Sequence, residues 1–249
     1  MKPEPPSHRL GDWLDLHELS PAACRRILMA ATRLASASTA QDQVSPADNK
    51  LDLEAAWQSV ADSMRRYFPA QNSLVDDTFE KSHRVLVARQ GRSRAALTVD
   101  NGPNTYPTIV YSFAGEPSDS LVLAHEFAHA LQITASEGRF VSPIIREVCA
   151  FVGEWALVSH ALATDATQHQ QLSRIWHRHN QRYFGVGRNR VTAALAHPET
   201  AYSYSWNYPI ARYLSIQVQG RFSRDCIWEL FEGRVSVAAL LADIGLASD

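Results

Sequence analysis

Cysteine is scarce in this chain: Cys24, Cys149 and Cys226 are the only three in 249 residues. An odd number at wide spacing argues against a disulfide framework and fits a reducing compartment. An excess of one charge is also missing. The chain carries 24 Lys and Arg against 26 Asp and Glu, a net charge of -2, and so lacks the basic footprint of a nucleic-acid binder. No apolar run is long enough to cross a bilayer. Residues 1–19 have no continuous apolar segment of the kind that marks a signal peptide. These absences predict a cytoplasmic protein with no nucleic-acid and no membrane partner. Secretion without a cleaved signal, as an injected effector, is the alternative.

What is present suits a folded chain, since 45% of residues are hydrophobic and 20% charged. The length allows one sizeable domain or two small ones. Residues 1–19 read as an irregular lead-in containing Pro3, Pro5, Pro6 and Gly11. Ser20-Pro21 reads as the N-cap and first position of a helix to about Ala35. Residues 36–49 form a polar loop, and a second helix aligns Leu53, Ala56, Trp57, Val60, Met64 and Phe68 on one face. From residue 84 the pattern changes. Arg84–Ala88 and Ala95–Val99 read as short strands joined by a turn at Gln90-Gly91-Arg92-Ser93. Thr108–Phe113 is a third strand, rich in β-branched and aromatic residues. The remainder reads as mostly helical: a helix capped by Ser118 to about Thr134, another from about Pro143 to Thr164, helical periodicity over 166–183, an aromatic-rich loop over 196–207, a helix from Pro209 to Phe222 and a short one near 235–243.

The first of these helices carries chemistry, because the segment opened near Ser118 contains His125-Glu126-Phe127-Ala128-His129. Two histidines four apart lie on one helix face, so both imidazoles reach one ion. Glu126 is rotated about 100° from His125 and reaches a water beside that ion. Neutral imidazole is a good zinc ligand, and a catalytic zinc takes three protein ligands with one position left open. The next helix offers Glu147 and Glu154 among apolar residues in IIREVCAFVGEWALV. A carboxylate on an apolar helix needs a partner. The two are seven apart and share a face, so one can bind metal while the other orients a ligand histidine.

These segments resemble the thimet oligopeptidase and oligoendopeptidase F family of zinc metallopeptidases over roughly residues 90 to 245. YPTIVYSFAGEPSDSLVLAHEFAHALQ is similar to the family's strand, turn and active-site helix, and REVCAFVGEW to its third-ligand helix. The resemblance assigns zinc to His125, His129 and Glu147, and makes Glu154 a supporting residue; Asp119 is expected beside it in that role. AHPETAYSYSWNYPIARYLSIQVQGRF resembles the family's His- and Tyr-rich loop, which implies substrate or oxyanion contacts for His197, Tyr204 and Tyr208. The strand and turn carrying Tyr111, Phe113 and Gly115 are expected to bind substrate, with Thr108–Phe113 pairing to its extended backbone. The family usually has Gly where this chain has Ala128.

The expected fold is therefore mostly α with a small β-sheet (α+β), a zincin-like (gluzincin) catalytic domain over 81–249 behind a short helical N-terminal region over 1–80. The expected function is zinc-dependent hydrolysis of peptide bonds in oligopeptides or an exposed protein segment, by a zinc-bound water with Glu126 as general base. Only about 80 residues precede the catalytic part, so the cleft is expected to be open, or covered by a partner subunit. A non-enzymatic binding or assembly module on the same fold, an injected effector protease and a hydrolase of non-peptide amides are the competing readings. His83, His160, His169, His177 and His179 read as surface or core residues.

Overall fold

Apolar residues recurring every three to four positions make 71% of the described residues helical around a small three-stranded sheet, an α+β arrangement. The computed structural model describes residues 8–36, 50–88 and 96–246. The lead-in read as irregular holds a short helix, α1 (Leu10–Leu16), which buries Leu10, Trp13 and Leu14. Its three prolines all precede residue 8, outside the described residues. Helix α2 (Pro21–Ser36) begins as expected, with Ser20 Oγ accepting from the Ala23 N–H at 3.0 Å. Helix α3 (Leu53–Tyr67) is capped by Asp52 and buries Ala56, Trp57, Val60 and Met64. A 3-10 turn at Pro69–Gln71 leads into α4 (Asn72–Lys81), a helix that the sequence reading does not include.

The strands are β1 (His83–Leu86), β2 (Ala96–Val99) and β3 (Thr108–Tyr111), in the order β1-β3-β2. β1 runs parallel to β3, and β2 antiparallel to it. The expected turn at 90–93 lies outside the described residues, and the two strands flanking it are not neighbours. The arrangement matches burial: Ile109 and Tyr111 of β3 pack into the core while all four residues of β1 are exposed, so the most buried strand takes the middle.

Helix α5 (Pro117–Ser136) is capped by Glu116 with Pro117 in the first turn, two residues earlier than expected. Helix α6 (Pro143–Thr164) has the predicted span. Helix α7 (Ala166–Arg182) passes through a π-helical turn, Tyr183–Gly187, into α8 (Arg188–Ala196). Then come α9 (Asn207–Arg221), α10 (Arg224–Phe231) and α11 (Val237–Asp243). Helix α6 lies at the centre, packed against α5, α9, α7 and α3. Its contact with α5 is close: a Cβ added to Gly153 would lie 2.5 Å from the Ala128 Cβ and 2.8 Å from the Ala124 carbonyl oxygen. Glycine on α6 thus makes room for alanine on α5. One buried cluster runs through residues on both sides of position 80, with the Trp57 ring edge-on to Tyr111 at 5.2 Å and to Phe127 at 6.3 Å. Among the described residues no helix is long and apolar enough to cross a membrane.

Candidate metal centre

Helix α5 presents His125 and His129 one turn apart, with ring centroids 4.8 Å from each other. Helix α6 crosses close enough, at Gly153, to bring Glu147 against both. His125 Nε2 lies 3.3 Å from Glu147 Oε2, and His129 Nε2 lies 3.7 Å from Glu147 Oε1. One donor atom from each of the three residues falls within 4.8 Å of the others, and the group can hold a metal ion. The side chains of the histidines are 16% and 15% exposed and that of Glu147 only 3%, so the set is open on one side. Glu147 Oε2 is buried without an aligned hydrogen-bond donor. A buried carboxylate oxygen held only by an imidazole that is poorly aligned for a hydrogen bond is costly unless a cation takes it.

Behind the histidines, His125 Nδ1 lies 3.0 Å from Glu154 Oε1, which orients the ring so that Nε2 faces Glu147. The Arg212 guanidinium, fully buried on α9, donates to Glu154 Oε2 at 2.8 Å. Arg212 also bonds Asn180 and the Trp176 carbonyl, and it lies over the Trp176 ring at 4.2 Å. Burial pushes the Glu154 carboxyl up, but the Arg212 charge and the His125 hydrogen bond outweigh it and hold it at about 2. Burial alone would depress His125; the carboxylates of Glu147 and Glu154 overcome this and raise it well above its ordinary value. His129 is lowered, chiefly by burial. Glu147 is lowered: burial opposes ionisation, and the two histidines and Tyr204 outweigh it.

The open side of the group faces a cavity of about 340 Å³ lined by residues of β2, α5 and α6, by Tyr204 of the aromatic loop and by Tyr208 of α9. Glu126 borders it, with the Thr98 hydroxyl within hydrogen-bond distance of both Glu126 Oε2, at 2.8 Å, and its backbone oxygen, at 2.9 Å. The Tyr204 hydroxyl donates to Glu147 Oε1 at 2.8 Å, and Tyr208 lines the wall beside it. Burial, followed by the charge of Glu147, raises both phenols above their ordinary value, so at neutral pH each is a hydrogen-bond donor.

Other expected site residues lie elsewhere. His197 is exposed at the end of α8 and does not line the cavity. Asp119 accepts from the Ala114 and Glu116 N–H groups and holds the turn into α5; these bonds fix the helix start. Tyr111, Phe113 and Gly115 do not line the cavity either. Tyr111 is the last residue of the central strand, paired on both sides, and its ring packs on Trp57. β3 therefore has no free edge for a substrate. Phe113 packs against the core, and Gly115, at φ 80°, meets Lys50 and Leu51. The strand bordering the cavity is β2, through Ala96, Leu97 and Thr98. None of His83, His160, His169, His177 and His179 joins the ligand group. The sequence reading misses Arg212, Thr98, Gln132 and Arg146. Arg212 had a signal, since it is a charge within the apolar run of α9, the argument that singled out Glu154. Thr98 had none, because its role depends on strand order.

No family model and no curated protein matches the sequence. A solved structure described as a "putative peptidase" from Chlamydophila abortus is similar with a TM-score of 0.52 at 10% sequence identity, over 94% of this chain and 51% of that one. At that identity the likeness is one of fold, and the present chain spans about half the length of the matched structure.

Proposed function

We propose that the chain is a zinc-dependent peptidase of the gluzincin type, hydrolysing peptide bonds in oligopeptides or an exposed protein segment. The observation that carries this reading is the convergence of His125, His129 and Glu147 beside Glu126 on one cavity wall. Two imidazoles and a carboxylate suit zinc, and the buried Glu147 Oε2, which no aligned hydrogen-bond donor satisfies, fits a cationic neighbour. The name given to the similar structure and the resemblance to the thimet oligopeptidase and oligoendopeptidase F family support the same reading.

Bound zinc would supply a Lewis acid and bring the pKa of a water at the site to about 7. Glu126 then accepts the proton of the attacking water and returns it to the leaving amine. Thr98 steadies the Glu126 carboxylate on the cavity side. Tyr208, which lines the cavity, serves in this reading as the donor to the oxygen that gains charge as the carbonyl is attacked, a contact worth about 10²–10³ in rate. Tyr204 donates to Glu147 and so braces the ligand set. Among the described residues β2 is paired only with β3, which leaves its other edge to take an extended peptide as an added strand.

Metal analysis of the purified protein should give about one zinc per chain, and His129→Ala should lose it. Incubation of the zinc-loaded protein with a mixed peptide library, read by mass spectrometry, should give cut products that a chelator abolishes. Zinc binding with no cleavage of any peptide would favour the binding-module reading.

A further inference from the structure

One end of the cavity is left unused by the hydrolytic residues. Gln132 lies on α5, three residues past His129, and Arg146 lies on α6, one before Glu147; both line the cavity, as does Ile133. Gln132 is 1% exposed, and neither its amide oxygen nor its amide nitrogen has a hydrogen-bond partner. A buried amide with nothing to bond is unfavourable for folding, and an apolar residue of similar size would serve packing better. Arg146 Nε is likewise shut away without a partner. Its guanidinium makes no ion pair or hydrogen bond with the described residues, whereas Arg65, Arg139 and Arg212 each hold a carboxylate. Helix stability does not explain it either. The first turn of α6 holds no acid, and a cation at a helix N-terminus opposes the macrodipole.

We propose that Gln132 and Arg146 form a carboxylate-binding subsite that selects substrates presenting an anionic group at that end of the cleft. This rests on the peptidase reading. A guanidinium fork takes a carboxylate through two parallel hydrogen bonds, and the Gln132 amide nitrogen adds a third donor. A carboxylate there also offsets the repulsion between Arg146 and a dication held by the ligand set. The carboxylate comes either from the C-terminus of a peptide or from an Asp or Glu side chain; the chemistry is shared.

The test uses quenched-fluorescence peptides in matched pairs: one sequence with a C-terminal acid or carboxamide, and the same sequence with Glu or Gln at each position in turn. The zinc-loaded wild type should favour the acidic member of at least one pair by about 10- to 100-fold in kcat/KM. The pair that responds identifies the source, terminus or side chain. Arg146→Met should bring that ratio close to unity, and Arg146→Lys should keep part of it, since charge survives without the fork. Gln132→Leu should lower the ratio while raising thermal stability, a combination that a merely structural residue does not produce. Equal rates for both members of every pair in the wild type would overturn the subsite, as would a preference that Arg146→Met leaves intact. If no peptide is cut, the peptidase reading fails separately. The subsite is then judged by calorimetric binding of the same pairs: acid preferred and the preference lost in Arg146→Met supports it, equal binding overturns it.

Discussion

Thr98 and Glu126 come from different elements, and the hydroxyl of one holds the carboxylate of the other on the cavity wall. Glu126→Gln keeps the shape but cannot accept a proton, so hydrolysis should fall by at least about 10²–10⁴-fold with zinc content and fold retained. Near-normal turnover in that variant would remove Glu126 from the role of base. Glu154 supplies a second prediction. Its carboxyl is held at about 2, against 4.5 ordinarily. Because the folded value is the lower one, Glu154 stabilises the protein fully above about pH 4.5 and loses that contribution as pH falls towards about 2, on the order of 3 kcal/mol in all. Acid titration of the metal-free protein followed by circular dichroism should show this limb in the wild type and a shallower one in Glu154→Gln; identical limbs would refute it. The His-Glu-x-x-His spacing was legible because residues four apart on a helix must share a face. Arg212 was not, since nothing local says which carboxylate a buried cation meets.

Helices α5 and α6 form the element pair on which the ligand set depends, and Gly153 sets their distance. Gly153→Ala would place a methyl 2.5 Å from the Ala128 Cβ. Overpacking of this kind typically costs about 1–3 kcal/mol, and pushing the helices apart should also weaken zinc binding by moving Glu147 from the histidines. Ala128→Gly in the same chain should recover part of the loss, the remainder reflecting the Ala124 carbonyl 2.8 Å away. Chemical denaturation of the single and double variants checks this, and strict additivity would count against a direct contact. The long helices were easy to read: α6 spans 22 residues with apolar positions throughout. Those missed, α1 with 7 residues, α4 with 10, α8 with 9 and α10 with 8, have too few turns for a period to stand out. Strand order was hidden for a different reason, since β1 pairs with β3 across more than twenty intervening residues and no turn chemistry encodes that pairing.

At the scale of the molecule, a metal held by His125, His129 and Glu147 would tie together α5 and α6, two helices of one continuous core. A ligand that binds only the folded state stabilises it by mass action, by about 2.7 kcal/mol at a free concentration one hundred times Kd. For a chain of this size that corresponds to a rise of about 5–10 °C in Tm. Scanning calorimetry with and without zinc should show the rise in the wild type and not in His129→Ala; equal shifts in both would mean that zinc acts elsewhere. The α+β class and the candidacy of His125, His129, Glu126, Glu147 and Glu154 were all readable from the chain, because each follows from residue type and helical period. Which strand borders the cavity, which aromatic residues reach it, and what Arg212, Thr98, Gln132 and Arg146 touch were decided only by tertiary structure. Those roles come from contacts between elements distant in sequence, where side-chain direction is set by packing and no local period records it.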